Sequence, residues 1–453
     1  MIKIAQFGEG NFLRAFADYY FDILNEEGGD YAVSIIKPVE YGTLDKFVKQ
    51  NNRYTVVLRG MENGKAVEKF REVSVVKEAF PFEEKEKFDA LAKDPDLRIV
   101  VSNTTEAGIY FSERDTISDL GGSSYPAKLT AFLYERFKAG LNGLYMLPVE
   151  LIDDNALNLK RCVESYISHW DLPREFAEWN AKENFYCNTL VDRIVSGYPR
   201  GEEQRFAGLL GKEDGLITVG EPFGLWVIEK KGEIEKLLKE GFHGVDIIIT
   251  ENVTYYKRRK VRVLNGSHTN MVFPAIWSGA DTVYDVMNNP RLRGFVESTL
   301  ENEIVPFVAE DQTETKKFAQ SVIERFENPY INHKLLSISL NSVSKWKARV
   351  LPSFMDYCEK HGRIPANMAA GLSYLIHTYR SLYEKGGAYY FNVNSKPLEM
   401  KDDKEFLTFF INGGTLAEFL SANIWGVNLN EIGGLADTLR RNLEQLGKGV
   451  SLL

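Results

Sequence analysis

The first 36 residues constrain the fold more than any other stretch. Ile2, Ile4 and Phe7 form a short apolar run ending in Gly8-Glu9-Gly10-Asn11-Phe12, and Leu13, Phe16, Tyr19, Tyr20 and Ile23 follow at helical spacing. The pattern predicts a strand, a tight glycine turn and an amphipathic helix. A second apolar run, Ala32 to Ile36, returns at the distance a βαβ crossover requires. Arg98 to Val101 predicts a third strand that breaks at Ser102-Asn103-Thr104-Thr105, and Leu144 to Val149 predicts a fourth. Tyr54 to Arg59 and Val73 to Val76 suggest a small antiparallel excursion around Asn63-Gly64. Strands alternating with helices to about residue 160 point to an α/β fold with a doubly wound parallel sheet, which takes its ligands at the carboxyl ends of the strands.

Three later runs, Leu216 to Val219, Leu225 to Ile228 and Val245 to Thr250, are expected to extend that sheet. Beyond about residue 252 the pattern changes to helical periodicity in Phe295 to Val308, Lys316 to Phe326, Ala369 to Tyr383 and Leu407 to Ala422. The expectation is a dinucleotide-binding domain over residues 1–251 and a mainly α-helical substrate and catalytic domain over residues 252–453. Apolar residues at 44% and charged residues at 26% supply ample cores. A net charge of −9 argues against nucleic acid or an anionic membrane as partner. Cys162, Cys187 and Cys358 are widely spaced with no CxxC pair, as expected of small buried side chains in a reducing compartment. With no apolar run of bilayer length and no secretory leader pattern, the expected location is the cytoplasm, as a monomer or small homo-oligomer.

Two glycines separated by one residue let the backbone approach a pyrophosphate, whose charge a helix N-terminus favours. The third glycine of GxGxxG is replaced by Leu13, and a structural turn uses the same two glycines. The usual ribose-binding acid after the second strand is missing too. Lys37 and Pro38 stand there, with Glu40 a later candidate, so NAD and NADP both remain open.

The most chemically loaded stretch is Lys257-Arg258-Arg259-Lys260-Val261-Arg262-Val263-Leu264-Asn265-Gly266-Ser267-His268. On a helix, Asn265 and His268 share a face, and the long stem of Lys260 reaches the same patch from two turns away. Neighbouring cations and partial burial both disfavour an ammonium, which would suit Lys260 to acid/base work. An asparagine amide stabilises a developing alkoxide, and a histidine orients a hydroxyl. A solvated basic face would explain the same run. The remaining histidines are scattered singly, with no HExxH, so no metal is expected; GxSxG and P-loop motifs are absent.

Several spaced motifs in order make the chain resemble the polyol-specific long-chain dehydrogenases, the mannitol dehydrogenase family. They are QFGEGNFLRAF at the start, SNTTEAGI at Ser102 to Ile109, NTLVDRIVSGYPR at Asn188 to Arg200, EPFGLWVIE at Glu221 to Glu229, and K-x4-N-x2-H at Lys260, Asn265 and His268. The resemblance implies a Rossmann-type first domain and metal-independent hydride transfer with NAD, or NADP, as cofactor. It makes Lys260 the proton donor in ketone reduction, has Asn265 polarise the carbonyl and His268 hold the substrate, and adds Asp192 as an active-site residue. It puts Gly8, Gly10, Asn11 and Phe12 along the cofactor, with Thr105 and Glu106 near its nicotinamide end.

Two positions depart from the family pattern. Leu151 stands where an asparagine is expected, with Asn155 as a possible substitute, and Lys257 replaces a glutamate three residues before Lys260. An added cation suits a substrate with its own negative charge, so Arg193, Lys257 and Arg380 become candidates for gripping a hexuronate carboxylate. Within the family the expected reaction is interconversion of D-tagaturonate and D-altronate in hexuronate catabolism. The fructuronate/mannonate pair and an uncharged polyol such as mannitol are the alternatives.

Overall fold

The computed structural model describes residues 1–38, 44–105, 107–120, 123–309 and 311–453. The chain forms two compact units, one of Met1–Gly60 and Val67–Tyr256, the other of Met61–Ala66 and Lys257–Leu453.

In the first unit, six strands form a parallel sheet: β1 (Ile2–Phe7), β2 (Tyr31–Lys37), β3 (Val76–Pro81), β4 (Leu97–Ser102), β5 (Tyr145–Pro148) and β6 (Phe185–Tyr186). Their spatial order is β3-β2-β1-β4-β5-β6, the doubly wound arrangement, with its switch point between β1 and β4. Side chains alternate across this sheet. Ile4, Val33, Ile35 and Ile99 pack on one face with Phe16, Tyr20 and Phe21 of the first helix, and Ala5, Phe7, Val100 and Met146 pack on the other with Leu129, Phe132, Leu159 and Val163. Both faces being covered, the strands read as nearly continuous apolar runs.

The later strands do not extend this sheet. Leu225–Glu229 pairs with Asp246–Thr250 and Thr189–Asp192 in a separate four-stranded sheet, and Thr218–Gly220 pairs with Tyr54–Glu62 in another. The sheet edge is the two-residue β6, which offers too short a ladder to be continued. The excursion after β2 is a hairpin of Tyr54–Glu62 and Lys65–Val73 around Asn63-Gly64, and Val76 opens β3.

The second unit is built around Gly266–Trp277, in which every residue from Gly266 to Ile276 is buried. A helix apolar on all sides needs neighbours on all sides. Pro290–Ser298, Leu335–Ile338, Ser342–Arg349 and Ala366–Arg380 pack against it. The helix expected over Leu407 to Ala422 is interrupted: Lys404–Phe409 ends before Gly413-Gly414, and Thr415 starts Leu416–Ser421 with a capping box. A three-stranded sheet of Tyr383–Lys385, Ala388–Val393 and Lys396–Met400 also interrupts the helices. Among the described residues no helix is long and apolar enough to cross a membrane.

Candidate active site

The glycine turn sits at the carboxyl end of β1, beside the switch point. Gly8 has φ +124°, a conformation a side chain resists, and a Cβ there would come within 3.3 Å of Leu13. Gly10 differs: its backbone is ordinary (φ −67°, ψ 163°), and a Cβ would meet nothing within 4 Å. The fold therefore needs Gly8, whereas the open space above Gly10 is free for a ligand. Gly10 is also the N-cap of the first helix and supplies no side chain to its amides, which leaves them facing that space.

Arg14, 6% exposed, braces the turn from below. It donates to the Glu9 carbonyl, to Asn11 Oδ1 at 2.7 Å and to Thr218 Oγ1 at 3.1 Å. Asn11 is thereby held in place, and Phe12 stacks on Phe16 at 4.9 Å, partly committed to the core. Lys37 ends β2 buried; burial raises the Glu9 carboxyl, and the charge of Lys37 offsets that only in part.

Across the switch point, the loop after β4 is held by Glu150. This buried carboxylate accepts from Thr104 N at 2.9 Å and Ser102 Oγ at 3.2 Å, although burial pushes its pKa upward. Thr105 is exposed on this loop; Glu106 lies outside the described residues.

Two residues of the expected set are spent on the scaffold. Asn155, 1% exposed, donates to the carbonyls of Pro148, Glu150 and Thr189 and accepts from Thr189 N at 3.0 Å. It ties β5 to the Thr189–Asp192 strand and does not replace the asparagine missing at Leu151, which is 63% exposed. Arg193 donates to the carbonyls of Ala15, Pro222, Phe223 and Gly244. A buried guanidinium filled by four carbonyls has no fork left for a substrate carboxylate. Asp192, buried at the end of its strand, belongs to the same unit.

The second unit holds Lys257, Lys260, Asn265 and His268, on a helix whose geometry changes midway. Val253–Arg259 is α-helical, Lys260–Asn265 is π-helical, and Gly266–Trp277 is α-helical again. A π turn bonds residues five apart, so Asn265 stands one turn above Lys260, and His268 follows one α turn later. The K-x4-N-x2-H spacing is thus one π turn followed by one α turn, which aligns the three residues on one face. Lys260 and Asn265 are half-buried and His268 is buried. Two of the neighbouring cations are engaged elsewhere: Arg259 lies over Phe318, and Arg262 pairs with Asp356 and the Phe307 carbonyl.

His268 is clamped by rings, stacked on Phe326 at 4.2 Å and edge-on to His333 at 5.1 Å. Gly266 permits the next contact, since a Cβ there would lie 2.8 Å from the Arg349 carbonyl. The close approach brings up Ser342–Arg349, a helix on which Lys345 and Arg349 are one turn apart. Burial, then the charge of Lys345, lowers the His333 pKa; burial, then Arg349, lowers that of Lys345; and burial lowers that of Arg349. Among the described residues neither Lys345 nor Arg349 forms an ion pair, though Asp402 exerts a weaker pull on Lys345.

Arg380 is not part of this cluster. Trp277 Nε1 donates to Thr378 at 2.9 Å while Asn270 donates to the Asn367 carbonyl, so the two helices run side by side in the same direction. Arg380 therefore lies near the Trp277 end, about 18 Å along the axis from Asn265, where it covers Phe410. Among the described residues no cluster of three or more His, Cys, Asp or Glu side chains is arranged to hold a metal.

Residues 2–239 match the mannitol dehydrogenase Rossmann domain and residues 252–446 the mannitol dehydrogenase C-terminal domain. The chain belongs to the mannitol dehydrogenase family. Among curated members of the family, it is 39% identical to the altronate oxidoreductase of Yersinia enterocolitica serotype O:8 / biotype 1B, over 98% of this chain and 94% of that one. It is 40% identical to the altronate oxidoreductase of Escherichia coli O7:K1, over 86% and 81%. The fold is that of a solved D-sorbitol dehydrogenase in substrate-free form (TM-score 0.82, 21% identity, 100% of this chain and 95% of that one). It is also that of Pseudomonas fluorescens mannitol 2-dehydrogenase, solved with NAD and D-mannitol (TM-score 0.70, 19% identity, 99% and 92%). As a mannitol dehydrogenase family member the chain is an oxidoreductase with a dinucleotide-binding fold.

Proposed function

We propose that this chain is a NAD-dependent altronate oxidoreductase, reducing the keto-acid D-tagaturonate to D-altronate and catalysing the reverse. The observation that carries this reading is 39% identity over 98% of the chain to relatives of that name. The half-buried Lys345 and Arg349, near the His333 that packs on His268, support it, because a hexuronate brings the carboxylate that two cations without an ion pair favour.

In this reading the first unit serves the dinucleotide and the second the sugar acid. When bound, NADH supplies a hydride to the ketone carbon, and NAD takes it back in the oxidative direction. Lys260 gives a proton to the forming alkoxide oxygen in reduction and removes it in oxidation. Asn265 donates its amide to the same oxygen, and His268, held by Phe326 and His333, orients a substrate hydroxyl. Asp192 is a further active-site residue. Lys345 and Arg349 hold the carboxylate, a role Lys257 shares. The protein acts in the cytoplasm, as a monomer or small homo-oligomer, and its three cysteines stay free.

The test is NADH and NADPH oxidation with tagaturonate, fructuronate and fructose in parallel, with and without EDTA. Rapid NADH oxidation by tagaturonate alone, unaffected by EDTA, is expected. Preference for fructuronate or fructose would overturn the substrate, and inertness to all three would overturn the activity. Gly10→Val tests the cofactor position: with nothing within 4 Å of a Cβ there, the variant should unfold like wild type yet bind NADH at least about tenfold more weakly, as an isopropyl obstruction at a close backbone approach requires. Unchanged affinity, read by NADH fluorescence, would remove the glycine turn from the cofactor site.

A further inference from the structure

Beneath the glycine turn lies a buried carboxyl that the hydride chemistry does not use. Gln6 and Asp18 are each 0% exposed, on an otherwise apolar side of the sheet. Asp18 closes the π-helical segment Arg14–Asp18 of the first helix. Its Oδ2 accepts from Tyr54 at 2.6 Å and from Gln6 Nε2 at 3.4 Å, and the same Gln6 nitrogen donates to the Gly8 carbonyl at 3.2 Å. One amide thus bridges the carboxyl and the cofactor turn.

Two acceptors in this cluster, Asp18 Oδ1 and Gln6 Oε1, are buried with no hydrogen-bond partner. An ionised carboxylate with an empty buried oxygen is costly, and a proton on Asp18 supplies the missing donor. The groups facing it are Tyr54 on the hairpin, Gln6 on β1, Arg14 one turn earlier and Asp22 one turn later, the last already paired with Arg71. Burial outweighs the pull of Tyr54, Gln6 and Arg14 and raises Asp18 to about 7.

The charge of Arg14 links this proton to the ligand. With Asp18 neutral, the guanidinium under the turn acts undiminished on an anion above it; with Asp18 ionised, the two charges cancel in part. We infer that Asp18 is a proton-linked positioning residue, neutral in the cofactor-bound state, so that affinity for the anionic dinucleotide falls as pH rises through neutrality. This rests on placing the cofactor at the glycine turn.

The experiment is NADH affinity from pH 5.5 to 9 for the full-length wild type, Asp18→Asn, Tyr54→Phe and Gly10→Val. Wild-type affinity should fall about tenfold, the change that one unit of cofactor-induced pKa shift produces. Asp18→Asn, which mimics the neutral acid, should hold the acid-limb affinity at every pH. Tyr54→Phe removes a donor to the carboxylate, so its midpoint should move upward. A flat wild-type profile, a slope that persists in Asp18→Asn, or an unmoved midpoint in Tyr54→Phe would overturn the inference. If Asp18→Asn does not fold, the Tyr54→Phe midpoint decides. The two failures are distinguishable: undiminished binding by Gly10→Val refutes the cofactor position, whereas loss of binding there with a flat wild-type profile refutes only the role of Asp18.

Discussion

Lys260→Ala should lose about 10²–10⁴-fold in kcat, the contribution of one positioned general acid/base, and keep nearly full affinity for NADH. The two effects separate because Lys260 stands in the second unit and the glycine turn in the first. Its half-buried position, one π turn below Asn265, puts the ammonium on the face shared with His268. Small primary amines added to the variant should restore part of the rate, since they supply the lost proton donor without the side chain. Stopped-flow measurement of NADH oxidation with tagaturonate, alongside NADH fluorescence titration, checks both halves. A variant that kept most of its turnover, or lost cofactor affinity in parallel, would show that Lys260 is not the general acid.

The second large effect concerns substrate charge. Lys345→Gln combined with Arg349→Gln should lower kcat/KM for the keto-uronate by about 10²–10⁴-fold, because charge-assisted hydrogen bonds contribute about 1.5–3 kcal/mol each. Most of the loss should appear in KM. Fructose, the uncharged comparison, should be affected far less. Equal losses on both substrates would assign the pair to the fold and leave the carboxylate without a partner. Of the two, Arg349 should matter more, since its planar fork matches both carboxylate oxygens.

The doubly wound sheet was legible because its strands are apolar on both faces and separated by helices, a pattern few other arrangements produce. Partner choice was not. Leu225–Glu229 and Asp246–Thr250 have the composition of sheet strands, but alternation says only that a strand is half-buried, not which sheet buries it. In the site, the Lys260, Asn265 and His268 spacing was visible as a motif, while its geometric reason, a π turn, has no signature in side-chain pattern. Lys345 and Arg349 carry no motif that singles them out in sequence. Only the close approach at Gly266 brings their helix against the one that carries Asn265 and His268. Arg193 failed in the opposite direction, because its chemistry suits a carboxylate but the fold surrounds it with carbonyls.

The most direct test of the proposed reaction follows the hydrogen itself. NADH deuterated at its transferable position should pass one deuterium to the new carbinol carbon of D-altronate when D-tagaturonate is reduced in ordinary water, with EDTA present. Proton NMR and mass spectrometry of the product read this directly. A singly labelled altronate is the expected result; an unlabelled product, or label in the other epimer at the reduced carbon, would contradict hydride transfer to tagaturonate giving D-altronate by this chain.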